Sequence, residues 1–198
     1  MIPGITLSLR FPGERKLQQW LDSQQDMPFS YTETGATRDA RFPAGYAHDR
    51  NAAQLGTGDE DFERAKMAIR QWAMFPAPWT QVPLCPELVV GKVVAVMVRV
   101  AGIWLWNSCR LVYVIDEPDR FGLAYGTLLP HVEMGEEVFL VEKRPGGQVW
   151  YRVEAFSKPR FWGARLLWPV SRYLQRQFAQ QSKAAMQATV RRMREAGN

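Results

Sequence analysis

Apolar positions in this chain follow a helical period near both ends and a period of two between them. Leu17, Trp20 and Leu21 lie at i, i+3 and i+4 after Pro12-Gly13, which predicts a short amphipathic helix from Glu14 to Gln25. Phe29 to Thr32 reads as a brief strand, and the stretch from Gly35 to Gly58 as an extended loop. Helical spacing returns with Phe62, Ala65, Ile69, Trp72 and Ala73, predicting a helix over 59–75 that Pro76 and Pro78 stop. Thr57 stands ahead of Glu60 in a capping-box pattern, with Asp59, Asp61 and Glu63 placed to meet the positive end of the helix dipole.

From Val89 to Ser157 the period is two. Val94, Val96, Val98 and Val100 alternate on one face, and Cys109, Leu111, Tyr113 and Ile115 do so on the next run. A third run holds Phe121, Leu123, Tyr125, Thr127 and Leu129, a fourth centres on Val138 to Val141, and a fifth holds Val149, Tyr151, Val153 and Ala155. The segments between them, Ala101-Gly102, Glu117-Pro118-Asp119, Pro130 to Gly135 and Pro145-Gly146-Gly147, carry turn chemistry. Short connections imply antiparallel pairing. After Pro159 the period lengthens again: Leu167, Val170, Leu174, Phe178, Ala185, Thr189 and Met193 form one stripe, and Pro169 suits a first helical turn. The expected fold is α+β, an antiparallel meander of about five to seven strands wrapped around one long C-terminal helix. One domain is expected, with an N-terminal helical segment over 1–28, the sheet over 29–157 including the inserted helix 59–75, and the closing helix over 158–198.

Composition changes that picture little. With 198 residues, 46% of them hydrophobic, the chain has ample material for a core, and disorder or a disulfide-framework peptide is excluded. Its net charge of +5 is concentrated at one end: nine basic residues against Glu195 alone from Lys158 onward, on a mildly acidic body. The positives are spaced around a helix, with only Arg191, Arg192 and Arg194 clustered, so a solvated helix face is favoured over a nucleic-acid partner. Two isolated cysteines, Cys85 and Cys109, suit a reduced cytoplasmic protein. Met1 to Arg10 lacks the apolar region of a signal peptide. The most apolar stretch, Val93 to Trp106, is interrupted by Arg99 and falls short of the ~20 residues of a membrane span.

The element order resembles the helix-grip fold of START-like and polyketide-cyclase-like proteins, which implies a cavity between a curved sheet and the C-terminal helix. Residue by residue, the chain resembles the domain-of-unknown-function 1990 family. The matching segments are Tyr31 with Gly35-Ala36-Thr37, Gly56-Thr57-Gly58 with Phe62, Trp72, and Arg110-Leu111-Val112-Tyr113. The densest match is Phe121 to Leu128, followed by His131 and Gly135-Glu136-Glu137 with Phe139; Phe156-Ser157 and Pro159 close it. This resemblance implies no activity.

Candidate chemistry gathers at Tyr125, Thr127, His131, Glu133, Glu136 and Glu137. A histidine near carboxylates suits a general base or acid, with His131 and Glu137 as the candidate catalytic pair. Alternation sends only one of Glu136 and Glu137 toward a cavity, and Glu137 shares the face of Phe139. Ligand contacts are expected from Tyr125, Thr127, His131 and Glu137, and from Tyr113 and Arg110 in the matching segment. A metal site would need His131, Glu137 and His48 without any His-x-His or Cys-x-x-Cys spacing, so neither metal nor cofactor is expected. Gly56-Thr57-Gly58 before a helix suits capping better than phosphate, because three acids follow it. The eight tryptophans are expected mostly in the core, with some around an apolar pocket. These features favour a small apolar or amphipathic ligand bound by a monomer or homodimer. A cofactor-independent enzyme using His131 and a glutamate is the alternative, and nucleic-acid or anionic-surface binding through the basic C-terminal helix a third reading.

Overall fold

The computed structural model describes residues 5–39, 41–75, 78–166 and 168–197. Pro76 and Leu167, assigned above to a helix stop and a helix stripe, lie outside the described residues. The chain runs β1 (Thr6–Ser8), α1 (Glu14–Ser23), β2 (Ala47–Thr57), α2 (Gly58–Arg70), β3 (Thr80–Gln81), β4 (Val93–Val100), β5 (Ile103–Asp116), β6 (Arg120–Thr127), β7 (Glu133–Lys143), β8 (Gln148–Pro159), α3 (Trp162–Leu166) and α4 (Trp168–Ala196). All strand pairings are antiparallel, in the order β2-β8-β7-β6-β5-β4-β3 with β1 beside β5, and the sheet is curled around α4. This is the expected α+β meander around a long C-terminal helix.

The meander is set by local chemistry. Ala101 and Gly102 turn β4 into β5 with φ of 48° and 83°, the two left-handed residues of a type I′ hairpin. Gly146 and Gly147, with φ of 82° and 75°, turn β7 into β8. The concave face carries Phe121, Leu123, Phe139, Val141, Tyr151 and Val153, packed against α2 through Phe62 and Ile69 and against α4 through Met186 and Val190. Two helices, not one, therefore cover this face.

Several expectations are corrected. The stretch read as a loop over 35–58 contains β2, an eleven-residue strand paired with β8. From Ala47 to Gln54 its burial alternates between partial and exposed because it is an edge strand, and only Leu55 is buried in the core, so no apolar repeat marks it. Phe29 makes only an isolated bridge to Leu128 in place of a strand over 29–32. Helix α2 ends at Arg70 rather than Phe75, since Trp72 takes a φ of 55° and turns the chain so that its ring is buried and its indole N–H reaches the Pro86 carbonyl at 2.9 Å. The convex face is covered as well: Leu17 and Leu21 of α1 pack against Val93, Ala95, Met97 and Trp106 there.

The alternation of β5 also breaks. A bulge between Leu111 and Tyr113 shifts the register against β6. Cys109 and Leu111 stay in the concave core, whereas Tyr113 and Ile115 pass to the convex side with Val138 and Leu140.

Candidate functional site

The space that α2 leaves between the sheet and the first half of α4 is a cavity of about 730 Å³. Its walls are mainly apolar: Val96 and Val98 from β4, Phe75 and Trp79 from the α2–β4 connection, and Leu174 and Phe178 from α4. Helical spacing brings Leu174 and Phe178 to one face, and strand alternation brings the valines to the other.

Polar groups enter from β6, β7 and the turn between them. The phenol of Tyr125 donates to Oε2 of Glu137 at 2.6 Å. The two are directly opposed in the β6–β7 register, so strand pairing alone sets the contact. Burial pushes the Glu137 carboxyl up to about 7, against the lowering effect of the Tyr125 hydrogen bond, and the same burial raises the phenol well above its ordinary value. The Glu133 carboxyl is likewise raised by burial, although Gln175 Nε2 donates to it at 2.7 Å. At the β2 edge, Asp49 is held by the Arg172 guanidinium, with Nη2 at 2.7 Å from Oδ1.

His131 lines the cavity but does not pair with Glu137. Its Nδ1 accepts the backbone N–H of Glu133 at 3.0 Å, and burial lowers its pKa to about 4. The ring is therefore neutral at pH 7, with its proton on Nε2. The expected histidine–glutamate pair is replaced by Tyr125–Glu137, because the β6–β7 register places the phenol, not the turn histidine, opposite the carboxyl.

Thr127 reaches the cavity wall with its hydroxyl already engaged: it accepts the Gly135 N–H at 3.0 Å and lies 2.6 Å from Ser30 Oγ. Tyr113 and Arg110 do not join the cavity. The bulge turns Tyr113 outward, where its hydroxyl meets Thr37 Oγ1 at 2.7 Å, and Arg110 donates to the Gln25 carbonyl at 2.5 Å on the convex face. His48 is exposed and bonded to the Pro43 carbonyl at 2.8 Å. Among the described residues no three histidine, cysteine or acidic side chains are grouped to hold a metal ion. Trp104 and Trp106 sit on the convex face, stacked edge-on with Phe11 and Trp20, so Trp79 supplies the indole at the cavity wall.

Sequence reasoning overlooked Asp49 and Asn51, which line the cavity from β2, and Asn107, Phe75 and Gln175. Asn107 was legible in principle, two residues before Cys109 on the same alternation.

On the other side of β7, Glu136 is buried and accepts four hydrogen bonds. Tyr31 Oη and the Gly35 N–H each lie 2.7 Å from Oε2; the Thr37 N–H at 3.0 Å and the Thr37 hydroxyl serve Oε1. Gly126 leaves room for this contact, since a Cβ there would lie 2.0 Å from Tyr31 Oη. The segments around Tyr31, Gly35 to Thr37, Gly126 and Glu136, distant in sequence, thus form one latch that ties the N-terminal loop to the sheet.

The family model described as a domain of unknown function (DUF1990) matches residues 30–185. The chain belongs to this family. A UPF0548 protein of Dictyostelium discoideum is 31% identical over 191 residues, covering 85% of this chain and 88% of its own. A UPF0548 protein of Deinococcus radiodurans is 33% identical over 185 residues, covering 86% and 92%. Among solved structures, a hypothetical protein from Helicobacter pylori superposes with a TM-score of 0.50 at 10% identity, over 73% of this chain and 86% of that one, a likeness of fold. The family segments span both the convex latch and the Tyr125–Glu137 pair of the cavity. Among the described residues no helix is long and apolar enough to cross a membrane.

Proposed function

We propose that this protein binds an apolar or amphipathic small molecule between its sheet and α4. The observation that carries this reading is the cavity itself: about 730 Å³, walled by valine, leucine and aromatic side chains, with the Tyr125–Glu137 pair as a polar group at its wall. Ligand sites of small-molecule binding proteins have this size and this ratio of apolar wall to polar anchor. Burying a ligand chain there gains roughly 25 cal/mol for each Å² of apolar surface removed from water.

Native mass spectrometry of the purified full-length protein, together with titration by the neutral apolar dye Nile red, tests the reading. A co-purifying adduct or saturable dye binding supports it, and Val98→Trp, which fills the cavity from β4, is expected to weaken dye binding about tenfold or more. Absence of adduct and dye binding in the native protein, or undiminished dye binding by the filled variant, sinks it.

A further inference from the structure

The ionisable side chains that line the cavity are acidic or neutral, with Arg172 placed behind Asp49. They include Asp49, His131, Glu133, Glu136 and Glu137, and among the described lining residues there is no lysine or arginine. Glu136 turns its carboxylate to the convex latch, Asp49 is matched by Arg172, and His131 is neutral. Glu133 and Glu137 remain, hydrogen-bonded by the neutral donors Gln175 at 2.7 Å and Tyr125 at 2.6 Å; Arg172 also acts through space on Glu133, which leaves Glu137 as the carboxyl without a cationic neighbour among the groups around it.

The aromatic walls have the same preference. Phe75 lies 5.4 Å from Phe178 and 6.4 Å from Tyr125 between ring centroids, so three ring systems border the space beside Glu137. The faces of such rings carry negative electrostatic potential and attract cations, most strongly where water is excluded.

We infer that the ligand is a cationic amphiphile, an organic ammonium with an apolar chain, whose head pairs with the Glu137 carboxylate among Tyr125, Phe75 and Phe178. This rests on the cavity being a ligand site, as proposed above. Folding has already taken much of the Glu137 side chain out of bulk water, which lowers the desolvation cost of pairing it with an arriving ammonium, and a charge-assisted hydrogen bond offsets the rest. A fatty-acid head would instead add a negative charge beside Glu133 and Glu137, with no lysine or arginine among the described lining residues to meet it.

The pairing also has a proton signature. The titratable groups around Glu137 are Tyr125 from β6, Cys109 from β5, Tyr151 from β8, Asp49 from β2 and Glu133 from β7; Arg172 of α4 is engaged with Asp49. None of them supplies an unpaired positive charge. With Glu137 titrating at about 7, a fraction of the protein holds that proton at neutral pH, and an ammonium displaces it.

Isothermal titration calorimetry of the full-length protein at pH 7 with decylamine, decanol and decanoate separates the possibilities. Decylamine is expected to bind about tenfold tighter than decanol, and decanoate more weakly than either. Decylamine heats should vary with the ionisation enthalpy of the buffer, reporting proton release, and decanol heats should not. Glu137→Gln should bring the amine-to-alcohol affinity ratio close to one and remove the proton release. Decanoate binding as tightly as decylamine, or an amine preference that survives Glu137→Gln, overturns the inference. Binding of decanol without amine preference overturns it while leaving the cavity reading intact, whereas binding of none of the three defeats both. The wild-type series decides the matter even if the variant does not fold.

Discussion

Glu136 and Glu137 are neighbours in β7 whose carboxylates lie on opposite faces of the sheet, each bonded to a phenol: Tyr31 at 2.7 Å on the convex side and Tyr125 at 2.6 Å in the cavity. The environments part their chemistry. Glu136 is saturated by donors from its latch, whereas Glu137 has one phenol and an apolar cavity, and its carboxyl is raised to about 7. A one-residue slip of β7 would exchange the two.

The latch is expected to be worth more than an ordinary side-chain contact, because breaking it leaves buried donors without an acceptor. Glu136→Ala should cost about 2–4 kcal/mol, and Tyr31→Phe about 1–2 kcal/mol. Gly126→Ala should resemble the loss of Tyr31, since its methyl group would occupy the position of Tyr31 Oη. Hydrogen exchange over residues 31–37 should accelerate in all three. Unchanged exchange there, with only global stability reduced, would contradict the latch.

Stability should depend on pH through Glu137 and His131 with opposite signs. The folded pKa of Glu137, about 7, lies above its unfolded value, so its contribution is fully present below about 4.5 and is lost as pH rises through 7. The folded pKa of His131, about 4, lies below its unfolded value, so its contribution is present above about 6.5 and is lost as pH falls through 4. Glu137→Gln, which still accepts from Tyr125, should therefore raise Tm at pH 8 by an amount corresponding to about 2 kcal/mol and change it little at pH 5. His131→Asn should flatten the acid limb instead. Thermal melts from pH 4 to pH 9 check both, and parallel curves for wild type and Glu137→Gln would refute the assignment.

Helix α4 is fastened at its far end by charge. Asp61 accepts the Thr57 N–H at 2.9 Å and Arg194 Nη2 at 2.6 Å. Burial works to raise its pKa, but the Thr57 N–H, Arg194 and Arg64 hold it below the ordinary carboxylate range. Asp61 thus takes the Thr57 N–H, the contact that the capping-box spacing assigns to Glu60, and the Thr57 side chain makes no capping hydrogen bond. Arg194→Ala should cost only about 0.5–1 kcal/mol, as that side chain is 45% exposed, while Asp61→Ala should cost about 2 kcal/mol by also freeing the cap. A double-mutant cycle by urea denaturation should show coupling between them; strict additivity would exclude the contact in solution.

The two cysteines should differ sharply toward an aromatic disulfide reagent. Cys85 is exposed, while Cys109 lies in the concave core with its thiol pushed up by burial. One thiol per chain should react rapidly and the second only after denaturation. Rapid reaction of both would mean that the β5 core opens readily.

Much of this fold was legible in residue order. Period-two runs separated by turn residues marked β4 to β8, and the stripe through Val170, Leu174 and Phe178 marked α4, since both signals are local. The face of Glu137 followed from its spacing to Phe139 alone. Edge strand β2 was hidden because half-exposed positions need no apolar repeat. Tyr113 was misassigned because one bulged residue inverts every later position of a strand without any mark in composition.

The sequence by itself determined the five strands β4 to β8, the turns between them, the closing helix, and which side of β7 each glutamate takes, because these depend on neighbours a few residues apart. Only the tertiary structure decided what each glutamate meets. Tyr31 reaches Glu136 across 105 positions, α4 closes on the sheet at a distance that leaves a cavity, and the β6–β7 register gives Glu137 a tyrosine in place of the histidine that sequence proximity suggested. Those contacts depend on long-range loop closure and on which residues the pairing of two strands brings opposite each other, which the spacing within one segment does not state.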